Sequence, residues 1–121
     1  MKTMMIAAAL AAAALAAPAM AQDAKAGEKA FVQCKACHSV VAGQNRIGPS
    51  LAGVVGRKAA SVAGFSYSPA MKAKGVSWTD ANLDTYLTKP AVYVKGTKMA
   101  FAGIADAQKR KDVIAYLKTL K

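Results

Sequence analysis

One pentapeptide constrains this 121-residue chain more than any other feature. Cys34-Lys35-Ala36-Cys37-His38 holds both of its cysteines and its single histidine. That usage excludes a multi-histidine metal cage. It also excludes a disulfide-dense scaffold, because two cysteines form at most one bridge. Cys-x-x-Cys-His is the signature of covalent haem attachment, and its spacing has a mechanical reason. Residues i and i+3 of a helical turn share a face, so each thiol can add to one vinyl group of the macrocycle and form a thioether. The histidine that follows then sits under the iron as an axial ligand. Three other uses of the motif compete. A redox dithiol needs a strand-helix context and an activated thiolate, and no strand precedes Cys34. A closed zinc site needs a fourth soft donor that the chain lacks. A Cys34–Cys37 disulfide closes a loop too short to add much stability.

The first 21 residues read as a secretory leader. Lys2 supplies the positive charge, Ile6 to Ala17 is an uncharged apolar run, and Ala19-x-Ala21 is a small-x-small cleavage pattern. The run is shorter than the about 20 residues a membrane span requires. Cleavage after Ala21 is expected to release a single domain, residues 22–121, into the periplasm, where haem attachment takes place after export. It removes one charged residue, Lys2, so the net charge falls from +11 to +10. It also removes four of six methionines and leaves Met71 and Met99.

That shortage narrows the second axial ligand. His38 is the only histidine, so a second imidazole is impossible within the chain, and the common alternative is a methionine thioether. Met71 falls in a short helix, where core packing is its ordinary use. Met99 falls in the loop Gly96-Thr97-Lys98-Met99-Ala100-Phe101, from which it can point inward without interrupting a helical stripe. Met99 is therefore the expected ligand.

The remaining signals are helical. Asp23 caps a first helix running to about Gln33, and Ser68-Pro69 opens a short helix that Gly75 stops. Thr79 caps a helix over 80–88, which Pro90 ends, with Leu83, Tyr86 and Leu87 as its apolar stripe. Asp106 opens the last helix, expected to reach the C-terminus with Val113, Ile114, Leu117 and Leu120 on one face. Lys109-Arg110-Lys111 reads as a solvated face of it. Residues 42–63 and 91–103 read as loops, and no stretch alternates as a strand does. The expectation is one all-α domain of short helices, with long loops that wrap something.

The chain resembles class I c-type cytochromes, the small bacterial periplasmic group related to mitochondrial cytochrome c. The resemblance runs from Gly27 to Leu120. It rests on Gly27-x-x-x-Phe31, Cys34 to His38, Ile47-Gly48-Pro49, Gly53-Val54-Val55-Gly56-Arg57, Gly64 to Ser68, Trp78, Tyr86-Leu87, Lys89-Pro90, Gly96 to Met99 with Phe101, and Ile114 to Leu117. It implies the cytochrome c fold, with N- and C-terminal helices crossing and loops around one covalently attached haem c. It implies that the Pro49 carbonyl accepts a hydrogen bond from His38 and that Tyr86 reaches the Met99 sulfur. It further implies that Tyr67 and Trp78 bond a buried propionate with Arg57 nearby, while Thr97 adds a donor. Gly27 and Phe31 would cross the last helix near Val113 and Tyr116. Two positions depart from the family pattern: Met71 stands where many relatives carry Asn, and Ala60 where they often carry Gly.

A haem closed by His38 and Met99 suits outer-sphere transfer of one electron rather than substrate chemistry. The expected function is a non-enzymatic, monomeric carrier between larger redox complexes, such as a cytochrome bc complex, a terminal oxidase or a photosynthetic reaction centre. Lys35, Lys95 and Lys98 adjoin haem-binding segments and are expected to steer docking to acidic faces. Lys72, Lys74 and Lys89 would extend that patch. The competing reading is a haem enzyme or gas sensor with a labile Met99. A nucleic-acid or anionic-membrane binder lacks a recognised module and a stacking platform.

Overall fold

The computed structural model describes residues 21–121, so all of the expected leader except Ala21 lies outside the described residues. The elements in chain order are α1 (Ala24–Ala30), a 3-10 turn (Phe31–Gln33), α2 (Pro69–Lys74), α3 (Asp80–Thr88), α4 (Pro90–Tyr93) and α5 (Ala107–Lys118). Among the described residues there is no strand, only an isolated antiparallel bridge between Lys58 and Ser77.

Four side chains set where the longer elements begin. The Asp23 carboxylate accepts from the Lys25 and Ala26 amides, Ser68 Oγ from Met71, Thr79 Oγ from Asn82 and Asp106 from Lys109. Each satisfies donors that the first turn of a helix leaves open. Gly75, at φ 64°, ends α2 in the left-handed conformation that glycine adopts at little cost.

Three boundaries differ from the sequence reading. The first helix tightens into a 3-10 turn at Phe31. The last stops at Lys118, where the Thr119 amide turns back to Tyr116. Pro90 ends α3 but also opens α4, because its missing N–H falls where none is needed.

The core forms where α1 crosses α5. Phe31 is 1% exposed and stacks on Tyr116 at 5.1 Å between ring centroids. A Cβ on Gly27 would land on the backbone carbonyl of Asp112, so the two helices meet with nothing between their backbones. Buried Asp112 ties down the chain start, accepting from the Asp23 amide at 3.0 Å and from Gln108 Nε2 at 2.8 Å. Leu83, Tyr86 and Leu87 of α3 join Val113, Ile114 and Leu117 of α5 in the same core.

The expected solvated face at Lys109-Arg110-Lys111 needs correction at its middle residue. Arg110 Nε pairs with Asp84 at 2.9 Å, and Nη1 donates to the carbonyls of Ile104 and Ala105, at 2.9 Å each. Three acceptors on two segments hold the guanidinium, whose fork geometry suits that role. Lys118 pairs with Asp80 at 2.5 Å on the same α3–α5 seam.

Ala60 is the one residue other than glycine with positive φ, 60°, among the described residues. An L side chain there costs about 1–2 kcal/mol, partly offset by the unfolded-state freedom of glycine. Ala60→Gly is therefore expected to raise stability by about 0.5–1 kcal/mol, read as a higher thermal midpoint. An unchanged or lower midpoint would mean that the methyl group gains more in packing than the backbone loses.

Candidate functional site

A largely apolar cleft of about 280 Å³ opens between the loops and the inner faces of α3 and α5. That is close to the low end of typical ligand sites, about 300–1,000 Å³. Its lining includes Cys34, Cys37, His38, Arg57, Tyr67, Trp78, Tyr86, Thr97 and Met99. Residues up to 65 positions apart in sequence thus face one space.

The motif follows the 3-10 turn directly. The amides of Cys37 and His38 both donate to the Cys34 carbonyl, at 3.1 and 2.9 Å, which closes the turn and presents the two thiols from one side. Both thiols are free and half-buried. Burial, reinforced by Cys37 beside it, pushes the Cys34 thiol above its ordinary value. His38 Nδ1 donates to the Pro49 carbonyl at 2.8 Å. A carbonyl can only accept, so the proton sits on Nδ1 and the Nε2 lone pair is free for a metal. Burial lowers the affinity of His38 for a second proton, the Pro49 carbonyl works against that, and the charge of Arg57 adds to the lowering.

Gly48 supports this arrangement in a way the motif alone did not reveal. A Cβ there would lie 2.7 Å from His38 Nδ1. The Ile47-Gly48-Pro49 backbone therefore lies flat against the imidazole, with the Gly48 amide donating to the Cys37 carbonyl at 2.8 Å. The available signal was a glycine immediately before the proline whose carbonyl orients the ring.

Across the cleft, Tyr86 Oη donates to Met99 Sδ at 3.6 Å, and the Met99 amide donates to Thr97 Oγ1 at 3.2 Å. Burial raises the Tyr86 hydroxyl above its ordinary value, with Thr97 opposing. The hydroxyl therefore stays a proton donor at neutral pH. Tyr86 also stacks on Trp78 at 4.9 Å between centroids.

Arg57 Nη1 donates to the carbonyls of Ser50 and Ala52, at 2.9 and 3.0 Å, and holds that loop. Its Nε is the one buried side-chain nitrogen or oxygen without a partner among the described residues. Such orphans are rare and call for an explanation. Tyr67 Oη accepts from the Val62 amide at 3.1 Å and keeps its own proton for another acceptor. An anionic group seated between Arg57 and Tyr67 would satisfy both donors. The site therefore fits a haem: two thiols and an imidazole from one turn, a thioether from a separate loop, a largely apolar lining, and donors for a buried carboxylate.

A family model described as Cytochrome c matches residues 24–121. The chain belongs to the cytochrome c family. Members are electron-transfer proteins rather than enzymes and carry one covalently attached haem c. Cytochrome c2 iso-2 of Magnetospirillum molischianum is 50% identical over 99 residues, covering 82% of this chain and 99% of that protein. The c-type cytochrome cy of Rhodobacter capsulatus is 54% identical over 99 residues, covering 81% of this chain but only 49% of that longer protein. The solved structure of cytochrome cH from Methylobacterium extorquens superposes with a TM-score of 0.76 at 51% identity, over 80% of this chain and 98% of that one. No described helix is long and apolar enough to cross a membrane.

The charges of this family member are segregated. All six carboxylates, Asp23, Glu28, Asp80, Asp84, Asp106 and Asp112, lie in α1, α3 and α5 or at their N-caps. Residues 29–79 and 85–105, which supply the loop walls of the cleft, contain none and carry ten Lys and Arg. Lys35, Lys95 and Lys98 are exposed, and Lys98 lines the cleft mouth. Ile47, also on the lining, is 79% exposed.

Proposed function

We propose that residues 22–121, released by cleavage after Ala21, form a periplasmic carrier of single electrons. Cys34 and Cys37 would attach its haem, and His38 and Met99 would be the ligands of its iron. When bound, the haem supplies a one-electron iron couple. His38, its Nδ1 proton held by Pro49, offers its Nε2 lone pair. Met99, presented by its loop and held by Tyr86, offers a neutral soft donor that favours the reduced state. The apolar walls exclude water and disfavour the more highly charged oxidised site. Arg57, Tyr67, Trp78 and Thr97 supply the polar contacts that an inward carboxylate needs.

The observation that carries this reading is the shared cleft, which both His38 and the Tyr86-bound Met99 sulfur line. The test is the optical spectrum of the oxidised holoprotein. Wild type should show a methionine-sulfur-to-iron charge-transfer band, and the Met71→Leu variant should keep it. Loss of the band in Met71→Leu, or its absence from wild type, overturns the Met99 assignment. Tyr86→Phe tests the support around the ligand. Without the hydroxyl the sulfur is a better donor to oxidised iron. The midpoint potential should therefore fall by roughly 20–60 mV, the one-electron equivalent of a hydrogen bond of about 0.5–1.5 kcal/mol. A potential that holds or rises would remove Tyr86 from that role.

The carboxylate-free mouth of the cleft fits docking, through Lys35, Lys95 and Lys98, onto acidic faces of larger redox complexes. Association steered in this way slows as salt is added.

A further inference from the structure

Two thioethers line the cleft, and ligation needs one. Met71 is the thioether that the proposed ligation leaves unused, and its surroundings give it a use. It lies in the first turn of α2, where its amide is held by Ser68 Oγ at 3.1 Å, and its half-buried side chain packs against the core from within the cleft. The neighbours of α2 place its segment beside the loop that carries Met99. Ala70 Cβ is 3.4 Å from where a Cβ on Gly96 would stand, and Lys98 Nζ reaches the Ser66 carbonyl at 3.4 Å. The segment 66–71 therefore borders the loop that carries Met99. None of the six residues of α2 is fully buried, so no core packing pins the helix from every side. Methionine, with its flexible unbranched chain and soft sulfur, is the side chain best able to follow.

We propose that Met71 is a reserve axial ligand. When Met99 leaves the iron, the Met71 thioether takes the vacated position. This rests on the reading of Met99 as the resident ligand. One iron–sulfur coordinate bond breaks and one forms, with no electron or proton transferred. The proton balance separates Met71 from the other donors near that loop. Lys72 and Lys98 carry ammonium groups with no lone pair, so each must lose a proton before it can bind a metal. Met71 needs no such step and acts at neutral pH. Its effect is to keep the iron closed to small exogenous ligands while the Met99 loop is displaced.

The test uses the Met99→Ala holoprotein at neutral pH. The oxidised protein should retain a sulfur-to-iron charge-transfer band, and the reduced protein should resist carbon monoxide. Adding Met71→Leu should abolish the band and admit carbon monoxide, with an unchanged far-ultraviolet circular dichroism spectrum. A folded Met99→Ala protein without the band overturns the reserve ligand and leaves Met99 as the native one. Loss of the band in the single variant Met71→Leu overturns the Met99 reading itself. A second arm does not depend on Met99→Ala folding. In rising denaturant, Met71→Leu should take up carbon monoxide earlier than wild type, while the two unfold with one midpoint. Coincident uptake overturns the proposal.

Discussion

Replacing Cys34 and Cys37 together by serine is expected to leave the chain without cooperative tertiary structure. The two thiols stand at the mouth of a cleft of about 280 Å³ that runs between the loops and the inner faces of α3 and α5. The same space is lined by Leu83, Leu87, Val113 and Leu117, which are also core residues. Held open and dry, a void of that size costs on the order of 7 kcal/mol, at about 24 cal/mol per Å³. That is comparable to the whole stability of a small domain, about 5–15 kcal/mol. Water entering instead would wet the core faces of α3 and α5. Near-ultraviolet circular dichroism and a thermal scan provide the measurement. A sharp transition near the wild-type midpoint would show that the protein core holds together on its own.

Gly27→Ala is expected to destabilise by more than about 3 kcal/mol, the upper end of ordinary overpacking. Helix propensity alone predicts the opposite, since Gly costs about 1 kcal/mol relative to Ala within a helix. The contact decides the sign. The added methyl would meet the Asp112 carbonyl and carbon, and both belong to the α5 backbone rather than to a side chain that can rotate away. The helices must separate, which loosens Phe31 from Tyr116 and draws the Asp23 amide away from the Asp112 carboxylate. At about 4–8 °C per kcal/mol for a domain near 100 residues, the thermal midpoint should fall by more than about 10 °C. A rise would show that propensity outweighs the crossing.

Much of this architecture was legible because its signals are local. Asp23, Ser68, Thr79 and Asp106 bond amides two or three residues away, so the spacing of cap and helix is visible in the sequence. The same holds for the Cys34–His38 turn, whose hydrogen bonds span three and four residues. Scarcity did the rest: a single histidine and two methionines after the expected cleavage leave few ways to complete a haem site. What was misread has a longer reach. Arg110 sits in a run of cations that resembles any solvated face. Its partners, Asp84 and the Ile104 and Ala105 carbonyls, come together only when α3 and the α5 entry loop pack. Pro90 was legible as a stop but not as a start, because α4 is one turn long and carries no periodicity.

The sequence by itself determined the family, the capped helices, the attachment motif and the short set of iron donors. Each of these is written in residue type and near-neighbour spacing. Only the tertiary structure decided which donors share a cleft, that Gly48 lies flat against His38, that Arg57 keeps one buried N–H in reserve, and that Met71 lines the same cleft as Met99. Those relations join residues 10 to 65 positions apart. Their geometry comes from the crossing of α1 over α5 and the closure of the loops around one cavity, and neither leaves a period or a motif along the chain.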